Sequence, residues 1–221
     1  MLPLPDHLRA PAQRLFGDRL ELAERFAALL AEEGPQRGLI GPREVERLWE
    51  RHLLNSALLA DAIPDGSGTV ADVGSGAGLP GVVLAIARPD LRITLIETMQ
   101  RRAGWLQEVE DTFDLGLEVV RARAEDLHGA RSFDVVTARA VAALDKLSRW
   151  TLPLVADGGE LLALKGSSAQ DEIDAAQKVL RRLGGVDPRI RRYGEGEVEL
   201  PTTVVHVRRR HQATGKGESR G

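Results

Sequence analysis

The chain is predicted to fold as a doubly wound α/β sheet, mostly parallel with an antiparallel edge, beneath an N-terminal helical cap. Three observations lead there. After Gly68, short apolar runs alternate with helix-patterned segments, as parallel strands joined by helical crossovers require. The last two runs follow one another with no helix between them, which suits an antiparallel pair at a sheet edge. Before Gly68 the apolar residues recur at helical spacing instead.

From Ala10 to Glu33 the helical spacing is carried by Leu15, Leu22, Phe26, Leu29 and Leu30, and "EEGPQRG" stops that helix with Gly and Pro. A second helix, about Glu44 to Ala60, carries Val45, Leu48, Trp49, Leu53, Leu54 and Leu58, and "PDGSG" then breaks the chain. Residues 1–68 read as the cap. The strand runs are "TVADV", "RITLIE", "LEVVRA", "FDVVTAR" and "GELLALKG". Helical segments begin at Pro80, Arg101, Asp126, Ala143 and Ala169. Val186–Tyr193 and Thr202–Val207 form the expected edge pair, so the second unit spans 69–210. Residues 211–221, "HQATGKGESRG", are polar and expected to be disordered.

The length of 221 residues suits one α/β domain with a small appendage, and 43% hydrophobic residues suffice for a core. There is no Cys, which excludes disulfides, thiolate metal sites and a Cys nucleophile. The opening "MLPLPDHLRAPAQRLF" lacks a charged region followed by an apolar run, so no signal peptide is expected. No apolar stretch approaches the about 20 residues that cross a bilayer, and a soluble cytoplasmic protein with no membrane partner is expected. Net charge is only −3, but residues 181–221 hold ten Lys or Arg against five Asp or Glu. Such asymmetry orients an anionic partner, or is simply a solvated basic face.

The stretch "VADVGSGAGLPG", Val70 to Gly81, ends an apolar strand in an acid and then places four glycines within eight residues. A strand, a glycine turn and a helix present backbone N–H groups to a ligand that approaches closely. In such sheets ligands bind beyond the carboxyl ends of the strands. Glu97 closes the next strand about 20 residues on, where a carboxylate accepts both hydroxyls of an adenosine ribose. Gly76, Gly78 and Gly81 match a dinucleotide pattern that starts late. Asp72 followed by Gly74, Gly76 and Gly78 matches the form used for S-adenosylmethionine, and a purely structural turn is the third option. The rest of the chain favours the methyl donor. The only Tyr, Tyr193, has no Lys four residues later, and no Cys or His-Asp pair offers hydride chemistry. "RAEDL" follows the third strand, where an Ala124–Glu125 turn can hydrogen-bond an adenine edge. Asp72 would then orient the loop and face the donor's amino-acid end, and Glu97 would hold the ribose.

"RHLLNS" at 51–56, "DVGSGAGLPG" at 72–81, "AED" at 124–126, "ARA" at 138–140 and "LKG" at 164–166 occur in that order. Over roughly residues 14–208 the chain resembles the bacterial 16S ribosomal RNA guanine-N7 methyltransferases, the RsmG or glucose-inhibited division protein B family. The resemblance implies a Rossmann-like class I methyltransferase fold with S-adenosylmethionine held at Gly74, Leu79, Ala124, Glu125 and Arg139. It implies methylation of a guanine, position 527 in the 530 loop of 16S ribosomal RNA, with that RNA or the small ribosomal subunit as partner. One departure is visible. The family's Lys-Arg pair after the ribose acid is replaced by Arg101 and Arg102 in "ETMQRRAGW", and Arg and Lys do not contact phosphate alike.

The chemistry fits independently. Guanine N7 carries a free lone pair, so the reaction needs in-line approach rather than a strong base. The chain has no Cys for C5-pyrimidine chemistry and no Asn/Asp-Pro-Pro-Tyr/Phe element of adenine-N6 enzymes. Lys165, one of four lysines, follows an apolar strand in "LALKG". It can hydrogen-bond guanine O6 or a phosphate, or merely snorkel from a strand end. Arg123 and Arg139 also sit at strand ends. Arg139 can hold the donor or the RNA, or form a structural ion pair; with Lys165 it makes up the expected catalytic pair. His52 and Asn55 lie three apart on one helix face, capping the donor, positioning RNA, or serving structure alone. Together with Arg123, Lys165, Arg191 and Arg192 they make the expected RNA contacts, and Arg181, Arg182 and Arg208 extend that basic face. An unpaired loop can present its guanine to such a pocket. His128, His206 and His211 suggest no metal cluster, and no metal is expected. Two rivals remain: the same fold acting on another RNA, a protein or a small molecule, and a non-catalytic RNA-binding protein. The intact loop with Asp72 and Glu97 argues against the latter.

Overall fold

The computed structural model describes residues 2–210, and the tail expected at 211–221 lies outside them. The strands are β1 Thr69–Val73, β2 Arg92–Ile96, β3 Glu118–Val120, β4 Phe133–Arg139, β5 Val155–Lys165, β6 Gly185–Tyr193 and β7 Thr202–Arg209. They form one sheet in the order β3-β2-β1-β4-β5-β7-β6. The first five pair in parallel, and β7 runs antiparallel to both β5 and β6. The expected architecture is thus the observed one. Strand order reverses between β1 and β4, which opens a crevice at their carboxyl ends. β1 and β4 are held in register at their other ends by Asp134, whose Oδ2 accepts from the Gly68 and Thr69 N–H groups and the Thr69 hydroxyl, each at 2.9 Å.

Alternate strand residues feed two cores because successive side chains point to opposite faces. On one face Leu162 and Val204 pack with Phe26, Leu53, Leu84 and Trp105. These come from the N-terminal helices, from α4 Gly81–Ala87 and from α5 Gln100–Phe113. On the other face Leu161 and Val205 pack with Leu147 of α6 Leu144–Thr151 and Ile173 of α7 Ala169–Arg182.

Three helical expectations need correction. The first helix is two, α1 Arg9–Phe16 and α2 Leu20–Arg37, because Gly17 at φ 51° turns the chain between them. α2 then runs through Pro35 to a left-handed cap at Gly38. Ile40 folds back against Gly34, which is bare of a Cβ; a methyl there would lie 2.8 Å from Ile40 Cγ1. The second expected helix is a run of unlike turns. It comprises 3-10 helix Pro42–Arg47, π-helix Leu48–Leu54, the single α turn α3 Asn55–Ala57 and 3-10 helix Leu58–Ala62. The segment expected from Asp126 is only a 3-10 turn, Ala124–Leu127, since Gly129 at φ 74° redirects the chain toward β4.

Candidate active site

β1 leads into the glycine loop, where Gly74, Gly76 and Gly78 have φ of 75°, 55° and 94°, values costly for side-chain-bearing residues. The loop is tied down from all sides. The Gly74 N–H donates to Ile96 O at 2.8 Å, the Ser75 hydroxyl to Asp72 O at 2.8 Å, and Trp105 Nε1 to Ala77 O at 3.1 Å. At its far end Gly81 opens α4 so close to the sheet that an added Cβ would lie 2.3 Å from Leu95 Cδ2 and 2.7 Å from Asp72 Oδ2.

Asp72 ties the strand end to the first residue of α4. Its Oδ2 accepts the Gly81 N–H at 2.9 Å, while Oδ1 is buried and has no partner among the described residues. Burial pushes this carboxyl up to about 7, against the pull of the Gly81 N–H, Ser75 and the Arg139 charge. The α4 N-terminus is therefore answered from within rather than presented bare. Asp72 and Gly78, both expected to contact the cofactor, line neither of the cavities that flank the loop.

Three cavities meet in front of the loop. The first, about 550 Å³, is lined by Gly74, Gly76, Leu79, Glu97, His52 and Arg139 among others. Glu97 directly follows β2, one residue past the strand it was expected to close, and its carboxylate accepts the Gly76 N–H at 3.0 Å and the Met99 N–H at 2.9 Å. The second, about 280 Å³, is a slot between Ile96, Arg123, Ala124, Glu125 and Trp150. The third, about 510 Å³, is lined by Asn55, Arg139, Lys165 and Glu172. Val141 borders all three; it follows Ala140, at φ 54°, and lies where a Gly74 Cβ would be 2.9 Å from its Cγ2. A larger hollow of about 800 Å³, holding Arg37, Arg101 and Arg102, adjoins the first cavity at Leu39, Met99 and Arg102. No loop glycine and no strand end lines it, so its size does not make it the reaction site.

Arg139 ends β4 and turns its guanidinium into the N-terminal helical run. Nη1 donates to His52 O at 3.3 Å and Ser56 Oγ at 3.0 Å; Nη2 donates to Arg51 O at 3.3 Å and to His52 Nδ1. A guanidinium has only donors, so His52 Nδ1 is the bare nitrogen. The ring hydrogen then sits on Nε2, 2.8 Å from Glu44 Oε2. Burial, then the Arg139 charge, hold His52 below the ordinary imidazole value despite Glu44. Burial also lowers Arg139 to about 10. Its terminal nitrogens make structural contacts, though with backbone carbonyls, the Ser56 hydroxyl and an imidazole rather than a carboxylate.

Lys165 does not snorkel. Its ammonium meets Glu172 Oε2 at 2.7 Å and Ala142 O at 2.6 Å. Burial pushes the Glu172 carboxyl up, but Lys165 and the Leu144 N–H outweigh it, and the group sits below its usual range. Asn55 is pinned to β7, Nδ2 donating to Thr202 Oγ1 at 2.8 Å. Arg191 and Arg192 stand apart, exposed on the outermost strand, with Arg192 paired to Glu195 at 3.1 Å. Arg208 pairs with Asp187. Sequence reasoning missed Glu44, Val141, Trp150 and Glu172. Glu44 and Glu172 carried a local signal, as acids in the first turn of a helix, and that signal points to capping. Among the described residues no group of three or more His, Asp or Glu is placed to hold a metal ion.

Residues 19–200 match the family model described as GidB, rRNA small subunit methyltransferase G. A protein of Pseudarthrobacter chlorophenolicus named ribosomal RNA small subunit methyltransferase G is 56% identical over 203 residues, 90% of this chain and 92% of that one. Its namesake in Mycobacterium sp. strain KMS is 50% identical over 216 residues, 96% of each. Among solved structures, the S-adenosylmethionine-dependent methyltransferase SibL in its apo form superposes with a TM-score of 0.59 at 20% identity, covering 76% of this chain and 57% of that one. That likeness is one of fold.

Proposed function

The chain belongs to the rRNA small subunit methyltransferase G family, and from that premise we propose that it methylates N7 of a guanine in 16S ribosomal RNA, position 527 of the 530 loop, from S-adenosylmethionine. The observation that carries this reading is the junction of three cavities at Val141. It offers a slot for a flat base, a trough for a ribose and amino acid, and a separate chamber for an acceptor. The residues fit the donor. Ile96, Ala124 and Trp150 make an apolar slot for adenine, and Glu125 stands at its rim. Glu97 retains lone pairs for ribose hydroxyls beside the loop. The fixed N–H groups and φ-positive glycines leave the backbone close to the trough.

When bound, S-adenosylmethionine supplies an electrophilic methyl group on a sulfonium. The chain's part is to bring a nucleophile to it. N7 has a lone pair and no hydrogen, so no residue needs to act as a base, and orientation does the work. Lys165 and Arg139, at the carboxyl ends of neighbouring strands, frame the acceptor chamber. Exposed Arg123 stands at the rim of the adenine slot, where it can meet a phosphate. No helix among the described residues is long and apolar enough to cross a membrane.

The test is the RNA itself. Ribosomal RNA from a strain lacking this gene should carry no methyl group on that guanine, and the wild-type gene should restore it. Mass analysis of the loop fragment reads the difference; a methyl group that persists in the deletion strain refutes the assignment.

A further inference from the structure

The acceptor chamber contains an ion pair whose hydrogen-bonding capacity is not used up. The Lys165 ammonium has three hydrogens, and two go to Ala142 O and Glu172 Oε2. Glu172 Oε2 also accepts the Leu144 N–H at 2.8 Å and is full. Glu172 Oε1 accepts only the Ser168 hydroxyl, at 3.0 Å. Among the described residues, one donor on Lys165 and one acceptor site on Glu172 therefore remain, side by side, on the wall of one cavity. The pair is largely enclosed, with side-chain exposures of 9% and 20%.

We infer that Glu172 is a specificity residue that reads the target base as guanine, accepting its N1–H while Lys165 donates to O6. The inference rests on the methyl-transfer reading above and deepens it. Guanine presents an acceptor, O6, next to a donor, N1–H, which complements one free N–H beside one free lone pair. Adenine presents the reverse order, an amino group next to a bare nitrogen, and would set donor against donor and acceptor against acceptor. O6 also neighbours N7 on the purine. With O6 on Lys165, N7 faces the wall of Arg139, Ala140 and Val141 that this chamber shares with the donor trough. A site that commits buried polar groups in this way rejects a base lacking the matching pattern. Glu172 also caps α6 through Leu144, so the test must separate reading a base from holding a helix.

Small subunits reconstituted with guanosine, inosine or 1-deazaguanosine at the target position provide that separation. Inosine keeps O6 and N1–H; 1-deazaguanosine replaces N1–H by C–H. The wild type should methylate inosine like guanosine and lose about ten- to a hundredfold in kcat/KM on 1-deazaguanosine. In Glu172→Gln the rate on guanosine should fall, and the preference for guanosine over 1-deazaguanosine should collapse toward one. That preference is a ratio within one variant, so it does not depend on how much of the variant is folded, and the cycle isolates the contact. An unchanged preference in Glu172→Gln, or a wild type indifferent to 1-deazaguanosine, overturns the role of Glu172 while leaving the methyltransferase reading standing. A wild type that leaves guanosine unmethylated in these particles overturns both.

Discussion

Replacing Gly81 by alanine adds one methyl group at the tightest point between α4 and the sheet. It would sit 2.3 Å from Leu95 Cδ2, 2.7 Å from Asp72 Oδ2 and 3.0 Å from Asp72 Cβ. Leu95 and Asp72 are fully buried, so neither yields into open space. Overpacking of this kind costs about 1–3 kcal/mol. Displacing Asp72 from the Gly81 N–H strands a buried donor for about 1–3 kcal/mol more. Taking about 4 kcal/mol together, a chain of this length should melt about 8–16 °C lower. Gly104 supplies the control, because it lies within α5 with nothing within 4 Å of an added Cβ. Gly104→Ala should gain about 0.4–1 kcal/mol from the unfolded chain's lost freedom, raising the midpoint by about 1–4 °C. Differential scanning calorimetry of the two variants decides the matter. A Gly81→Ala protein melting within about 2 °C of wild type, well inside the 8–16 °C expected, would show that the contact is not rigid and that Asp72 does not hold the loop to α4.

Asp72 makes stability fall with rising pH. Its folded value, about 7, lies above the 3.8 of an ordinary Asp; the stabilisation is complete below 3.8 and lost as pH climbs to about 7. Each pH unit in that window is worth about 1.4 kcal/mol, so wild type should lose up to about 4 kcal/mol relative to Asp72→Asn between pH 4 and 8; parallel urea titrations that show a constant gap refute it. Glu97→Ala should weaken binding of S-adenosylhomocysteine about ten- to a hundredfold for each charged hydrogen bond lost, and unchanged affinity by calorimetry removes Glu97 from the ribose site. Neutralising Arg191 and Arg192 together should weaken binding equally for methylatable and mutated loops and flatten its salt dependence. Identical salt slopes would reduce that edge to a solvated face.

The sheet was legible because its determinants are local. Each apolar run between turn signals is a strand, and a left-handed turn after an acid announces itself in glycines. The boundary of α2 was not legible, because Pro35 and Gly34 ordinarily break helices and here both lie inside one that runs on to Arg37. The widened turn at Leu48–Leu54 has the same apolar spacing as an α-helix, and its carbonyls at Arg51 and His52 are met by Arg139, a partner distant in sequence. In the site, residues whose position follows from the strand ends and the glycine turn, Gly74, Gly76, Glu97, Ala124 and Glu125, all line the cavities. Partners chosen by tertiary packing do not follow in that way. Nothing in the spacing of Glu44 and His52, or of Lys165 and Glu172, says that their side chains meet.

The anchoring of Arg139 and Asn55 bears on how a bulky RNA gains entry. One clamps Arg51, His52 and Ser56 to the tip of β4; the other clasps Thr202 at the start of β7, and Thr202 answers by donating its hydroxyl to Asn55 O at 2.7 Å. The stretch 51–56 is thus riveted to the sheet beside the cavity lined by Asn55, Arg139, Lys165 and Glu172 and behaves as masonry, not as a door. The span 140–143 lines the same cavity and carries the exposed Val141, and it too is held, by the Lys165 ammonium at Ala142 O.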